Sequence, residues 1–129
     1  MIALPEMVND SRVLKFKEYV SEDRLKLGKF KVKEPDDSCK ELIPNIVLTP
    51  FLAFDITKNR LGYGMGYYDN TLKHLYSKKY EWLYLSKNLL SIGVGYDEQL
   101  SESLLPEGSF DHKLDFIITP SQIFTWFIW

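Results

Sequence analysis

Arg60-Leu-Gly-Tyr-Gly-Met-Gly-Tyr-Tyr-Asp69 places an arginine, three alternating glycines and an aspartate at the start of a helix-spaced segment. Glycine adopts positive φ without steric cost and lets a ligand come close to the backbone. Successive N–H groups in such a turn form a concave anion nest, and a following helix adds the positive end of its dipole. Arg60 supplies a permanent planar charge suited to phosphate oxygens, and Asp69 a carboxylate that can hold Mg²⁺ against them. No Gly-Lys-Ser/Thr follows, which excludes a Walker A loop, and Gly-x-Gly-x-Gly is not the dinucleotide fingerprint. On spacing alone a tight structural turn and a phosphate site both stay open; the charges at the two ends favour phosphate.

The segments around the loop set the fold class. Upstream, residues 45–49 are an apolar run between Pro44 and Pro50, the clearest buried strand in the chain. Residues 51–54 form a second apolar piece leading into Asp55, and residues 57–60 read as a turn. Downstream, residues 67–76 have helix spacing, with Tyr68, Leu72, Leu75 and Tyr76 able to share one face. Residues 89–96 read as a strand in which Gly93 and Gly95 leave room for a close neighbour or a ligand. Asp97 begins a turn or short helix, and residues 114–119 form a short strand ended by Pro120. Strands alternating with helices predict an α/β domain around a largely parallel sheet.

The first third is less regular. Residues 2–4 read as the tail of a strand ending at Pro5, and residues 12–16 as a second strand. Residues 21–27 suggest a short helix or turn ending near Gly28. Residues 29–41 are charged and turn-rich, predicting a surface loop with Cys39 exposed and incidental. Residues 78–88 extend the helix or connect it onward, and the aromatic end, residues 123–129, fits a last strand, a partner-facing patch or a shifted reading frame.

Composition narrows the function classes. A chain of 129 residues, 45% hydrophobic and 26% charged, has one globular domain's worth of core. Its formal net charge of −2 gives no general pull toward nucleic acid or an anionic membrane, so an anion site has to be local. No run of about 18 apolar residues is present for a membrane span, and no signal peptide is expected. The single cysteine excludes an internal disulfide and fits a reducing cytoplasm.

The wording of the central block goes beyond its spacing. Pro50-x-x-Ala53-Phe-Asp55 followed by residues 60–69 closely resembles the signature of the 5-formyltetrahydrofolate cyclo-ligase (methenyltetrahydrofolate synthetase) family. Weaker matches fall in order at Leu4-Pro5, Glu34-Pro35, Ile92-Gly-Val-Gly-Tyr96 with Gln99, Leu105-Pro106, Asp111 and Leu114-Asp115-x-Ile117-Ile-Thr119. The resemblance implies a three-layer α/β/α fold. It also implies an ATP- and Mg²⁺-dependent ligase that converts 5-formyltetrahydrofolate to 5,10-methenyltetrahydrofolate, releasing ADP and phosphate.

Carried onto this chain, the resemblance gives the ATP phosphates to Arg60, Leu61, Gly62, Tyr63, Gly64, Met65, Gly66, Tyr67 and Tyr68. Tyr63 to Tyr67 would also face the folate. Arg60 and Tyr67 take the catalytic roles, and Asp69 and Asp115 the metal; Asp55 and Asp111 are weaker candidates. Met65 departs from the small or basic residue expected at its position. Family members are also longer, opening with a helix that carries basic residues in a Lys-x-x-x-Arg-like arrangement. The chain is therefore expected to be an N-terminally truncated member, the C-terminal two-thirds of a single cyclo-ligase-like domain. It would be an active enzyme completed by a separately encoded N-terminal fragment, or an inactive remnant keeping part of the nucleotide site.

Overall fold

The computed structural model describes residues 1–77, 89–106 and 113–125. The expectations for residues 78–88, for Asp111 and for residues 126–129 lie outside the described residues. The chain divides into two compact units, Met1–Pro44 and Asn45–Trp129.

The first unit is antiparallel. Strands β1 (Ala3–Glu6), β2 (Lys15–Glu18), β3 (Leu25–Leu27), β4 (Lys33–Pro35) and β5 (Glu41–Leu42) make a three-stranded sheet in the order β1-β2-β5 and a β3-β4 pair. Pro5 lies inside β1 rather than ending it, opposite Phe16. That is tolerable because β1 is an edge strand, where a missing N–H breaks no interior ladder. Residues 21–27 are a single 3-10 turn, Glu22–Arg24, followed by strand β3 instead of a helix.

The surface loop expected at residues 29–41 is also corrected. It contains β4, in which Glu34 and Pro35 are buried. Glu34 accepts a hydrogen bond from the Met7 backbone N–H at 3.1 Å, which gives its buried carboxylate a partner. Cys39 is buried rather than exposed, its thiol 3.8 Å from the Arg24 carbonyl oxygen. Polar neighbours hid this, since an isolated cysteine packs as a small hydrophobe whatever its sequence context. Lys17, 9% exposed, meets Glu6 at 2.6 Å, and Lys26 reaches the same carboxylate at 3.3 Å. Burial pushes the Glu6 pKa up, but hydrogen bonds and charge from the two lysines outweigh it and hold it below the ordinary value.

The second unit is α/β. Its strands are β6 (Ile46–Thr49), β7 (Ala53–Phe54), β8 (Arg60–Leu61), β9 (Leu90–Val94), β10 (Phe116–Ile118) and β11 (Ile123–Phe124), with helix α1 (Tyr67–Leu75) between β8 and β9. A four-stranded sheet runs β11-β10-β9-β6, parallel from β6 through β9 to β10 and antiparallel at β11. The expected parallel sheet is thus present with one antiparallel edge, and β7 and β8 form a separate antiparallel pair.

Strand alternation separates the two faces of this sheet. Val47, Thr49, Ser91, Gly93 and Ile117 are buried, while Ile46, Leu48, Val94 and Ile118 are exposed. On α1 the buried residues are Tyr67, Thr71, Leu72 and Leu75, so the inner face begins at Tyr67 and Tyr68 stands to one side. The space over Gly93 belongs to the protein's own core. A Cβ there would lie 2.6 Å from Leu114 Cδ1, 3.0 Å from Phe51 Cε1 and 3.2 Å from Ile117 Cγ1. Gly93→Ala therefore overpacks the core, with an expected loss of about 1–3 kcal/mol of stability in urea unfolding.

Candidate functional site

Site construction starts at Asp55, which is fully buried at the end of β7. Its Oδ1 accepts hydrogen bonds from Thr57 N–H at 2.9 Å, Thr57 Oγ1 at 2.7 Å and Asn59 N–H at 3.1 Å. Its Oδ2 accepts from Leu105 N–H at 2.8 Å and Asn59 Nδ2 at 3.3 Å. Burial works to raise the Asp55 pKa, but the bonds from Thr57, Leu105 and Asn59 prevail and hold it below the ordinary carboxylate value. This arrangement curls residues 55–59 into a closed turn, with Lys58 at φ 66°, and delivers the chain into β8. The spacing Asp-x-Thr-x-Asn is the sequence signal for such a side-chain-to-backbone turn.

Arg60 leaves that turn pointing inward. Its side chain is 3% exposed and forms an ion pair with Asp69 at 3.2 Å. Nε and Nη2 both donate to the Pro50 carbonyl oxygen, at 3.1 and 2.8 Å, and the guanidinium carbon lies 5.9 Å from the Tyr68 ring centre. The predicted phosphate-gripping charge is thus itself gripped, fastening the end of β6, the start of β8 and the first turn of α1 together. Gly62 lies against this group, a Cβ there coming within 2.9 Å of Arg60 Nη2.

From Gly62 to Gly66 the chain is a bare loop. Gly64 and Gly66 have φ of +89° and +74°, and Gly66 is the residue from which α1 begins. Asn70 Nδ2 donates to the Gly66 carbonyl oxygen at 2.7 Å, fixing the entry into the helix. Leu61, Tyr63, Gly64 and Met65 are exposed around the loop, whereas Tyr67 is buried and Tyr68 half-buried. Burial raises the Tyr68 pKa against the opposing pull of Arg60. Backbone at positive φ ahead of a nine-residue helix is the geometry of an anion-binding nest.

The remaining candidates take structural positions. Asp115 Oδ2 accepts from Ser91 N–H at 2.9 Å, Ser91 Oγ at 3.2 Å and the Tyr76 hydroxyl at 3.0 Å, joining β9, the start of β10 and the end of α1. Burial and the Asp115 charge push the Tyr76 phenol well up, so it stays a donor. Gln99 Nε2 donates to the Phe51 carbonyl oxygen at 2.8 Å and Oε1 accepts from Tyr96 N–H at 2.7 Å, tying the turn after β9 to the segment before β7. Among the described residues no group of three or more His, Cys, Asp or Glu side chains gathers as a metal cage.

Because the Asp55 pKa is depressed on folding, its contribution to stability is fully present above the ordinary value of 3.8 and is lost as pH falls through the folded value. Asp55→Asn is expected to cost about 3 kcal/mol near neutral pH, since an amide NH₂ would face donors. The gap between wild type and variant should narrow below pH 3.8 in urea titrations at stepped pH.

Comparison with known proteins covers this same ground. The model of the 5-formyltetrahydrofolate cyclo-ligase family matches residues 1–120. The 5-formyltetrahydrofolate cyclo-ligase of Escherichia coli (strain K12) is 31% identical over 117 residues, covering 88% of this chain and 59% of that protein. A probable 5-formyltetrahydrofolate cyclo-ligase of Schizosaccharomyces pombe is 26% identical over 132 residues, covering 95% of this chain and 62% of that protein. Among solved structures, the Aquifex aeolicus 5,10-methenyltetrahydrofolate synthetase superposes with a TM-score of 0.69 at 28% identity, covering 94% of this chain and 56% of that one. The chain thus spans little more than half the length of these relatives. The matched region takes in the first unit, the second as far as Pro120 and every residue of the Arg60–Asp69 loop, and the chain belongs to the 5-formyltetrahydrofolate cyclo-ligase family.

Proposed function

We propose that the chain carries the nucleotide-handling part of a 5-formyltetrahydrofolate cyclo-ligase, in a three-layer α/β/α domain of which it is the C-terminal two-thirds. The observation that supports this reading most is the loop from Gly62 to Gly66, which turns at positive φ into the N-terminus of α1. Backbone N–H groups there would hold the ATP phosphates while Arg60, fastened to Pro50 and Asp69 beneath, keeps the loop in shape and adds a positive field. Exposed Tyr63 and Met65 offer aromatic and apolar contact to the folate, and buried Tyr67 sets the inner wall of the helix start.

A magnesium ion in this reading is held by Asp69 together with phosphate oxygens, while Asp115, bonded to Tyr76 at the far end of α1, ties the fold together away from the loop. The donor chemistry fits: Mg²⁺ in phosphoryl-transfer sites takes hard oxygen ligands, with only one or two carboxylates from the protein. Bound there, the ion would neutralise charge developing on the transferred phosphoryl group. The protein's own part is positioning and the exclusion of competing water. The reaction follows as ATP-dependent activation of the formyl oxygen and ring closure to 5,10-methenyltetrahydrofolate, in a reducing cytoplasm.

A second reading has the chain bind nucleotide without turnover, favoured by its covering 59% of the E. coli relative. ATP- and Mg²⁺-dependent appearance of methenyltetrahydrofolate from 5-formyltetrahydrofolate, followed by absorbance, separates the two. The active reading expects turnover, by the chain alone or with a complementing fragment; none at high protein concentration in either case sinks it. Arg60→Ala is expected to weaken ATP binding by about tenfold or more. Asp69→Asn should remove the Mg²⁺-dependent increment in calorimetry and spare binding without metal. Unchanged affinity in both variants would overturn the loop assignment.

A further inference from the structure

Two polar side chains early in α1 hydrogen-bond back to carbonyl oxygens at the start of the same helix. Asn70 Nδ2 donates to the Gly66 carbonyl oxygen at 2.7 Å, and that oxygen also accepts the Asn70 backbone N–H at 3.0 Å. One residue on, Thr71 Oγ1 donates to the Tyr67 carbonyl oxygen at 2.5 Å, again four positions back. Asparagine and threonine are poor helix formers because they compete for backbone groups, and back-bonding of this kind slightly destabilises a helix. The nine-residue α1 carries two such residues in succession, at the end joined to the glycine loop. Asn70 is half-buried and Thr71 is 1% exposed, so neither is a solvated surface residue.

A peptide unit is planar and rigid, with its C=O and N–H pointing in opposite directions. In a helix the carbonyls point toward the C-terminus and the N–H groups toward the N-terminus. Holding the Gly66 carbonyl with two donors therefore fixes the direction of the Tyr67 N–H, and holding the Tyr67 carbonyl fixes that of the Tyr68 N–H. Both aim back toward the loop. An added hydrogen bond on a carbonyl also polarises its peptide, which strengthens the N–H on the other side as a donor. The space around the glycines agrees with this division. A Cβ on Gly66 would lie 3.0 Å from Asn70 Nδ2, so the amide packs against that glycine, whereas a Cβ on Gly64 would meet nothing within 4 Å. The loop is closed at Gly66 and open at Gly64.

We infer that Asn70 and Thr71 are positioning residues for phosphate, acting through the Tyr67 and Tyr68 backbone amides, which they orient and polarise toward the phosphate oxygens. Neither side chain touches the ligand. The inference rests on the nucleotide reading above and names which backbone donors of that site are held in advance of binding. Donors already fixed in direction need no reorganisation when charge arrives, which is how a neutral amide comes to stabilise an anion. Arg60 acts differently, by anchoring the loop from beneath and adding charge, while Asn70 and Thr71 set the direction of neutral dipoles.

The test measures binding of ATP and of inorganic tripolyphosphate to the full chain by calorimetry, with circular dichroism and urea unfolding run on every variant. Asn70→Ala and Thr71→Val should each weaken both probes by about threefold to tenfold. Equal losses for the two probes put the effect on the phosphates rather than on the base. Asn70→Ser carries a hydroxyl able to reach the carbonyl four residues back, as Thr71 does, and should bind within about twofold of wild type. Amide resonances supply a readout that helix stability does not move. Added tripolyphosphate should shift the Tyr67 and Tyr68 amides of the wild type, the Tyr67 shift shrinking in Asn70→Ala and the Tyr68 shift in Thr71→Val. Wild-type affinity in folded Asn70→Ala and Thr71→Val overturns the inference and leaves the nucleotide reading standing. So does an Asn70→Ser variant as weak as Asn70→Ala. A wild-type chain that binds neither probe brings down the nucleotide reading and the inference with it.

Discussion

Arg60 is a permanent cation with a 3%-exposed side chain, and burying a guanidinium is tolerable only where its donors find acceptors in fixed places. The Pro50 carbonyl oxygen takes two of them, the Asp69 carboxylate another, and the Tyr68 ring lies alongside the plane. Pro50 follows β6 while Tyr68 and Asp69 both lie in the first turn of α1, so this one demand brings those two pieces of the chain together on the Arg60 strand β8. The glycine loop is then suspended between two anchored points, Arg60 and Asp69. Its backbone can present N–H groups without side chains in the way, because the anchoring is done underneath.

A second buried charge makes the first possible. Asp55 collects five hydrogen bonds, from Thr57, Asn59 and Leu105, and in doing so sets the path along which the chain enters β8. A carboxylate and a guanidinium, five positions apart, are each satisfied by neighbours rather than by one another. The buried ion pair of Arg60 with Asp69 is reinforced by the two bonds to the Pro50 carbonyl oxygen, since in a bare buried pair attraction barely offsets desolvation. The Asp55 cluster also spreads the cost of holding Lys58 at φ 66°, a conformation disfavoured for a side chain of that kind, over a well-bonded turn.

Several parts of this architecture were legible in the residues. The strands at 45–49 and 89–96, the helix after the glycines and the strand at 114–119 follow from apolar runs and punctuation by proline and glycine, and the structure contains all of them. The strands near residues 2–4 and 12–16 are present as β1 and β2, but residues 21–41 depart from their sequence reading because their hydrophobic pattern is weak. Strand β4 buries Glu34 rather than an aliphatic residue, and Cys39 packs amid charged neighbours. Polar residues become interior only when a specific partner receives them, and a partner 27 positions away, as Met7 is from Glu34, leaves no trace in local spacing.

For the site, sequence alone determined the composition of the loop, the helix that follows it and the family resemblance, since positive φ and close backbone approach demand glycine at particular positions. Only the tertiary structure decided how the charges around it are used. Arg60 faces inward to Pro50 and Asp69, Asp115 ties β9 and β10 to the end of α1, and Gly93 makes room for Phe51 and Leu114. The reason is physical: backbone conformation is a local property that residue type constrains directly, whereas the partner of a buried charge is whatever distant atom the fold brings within about 3 Å.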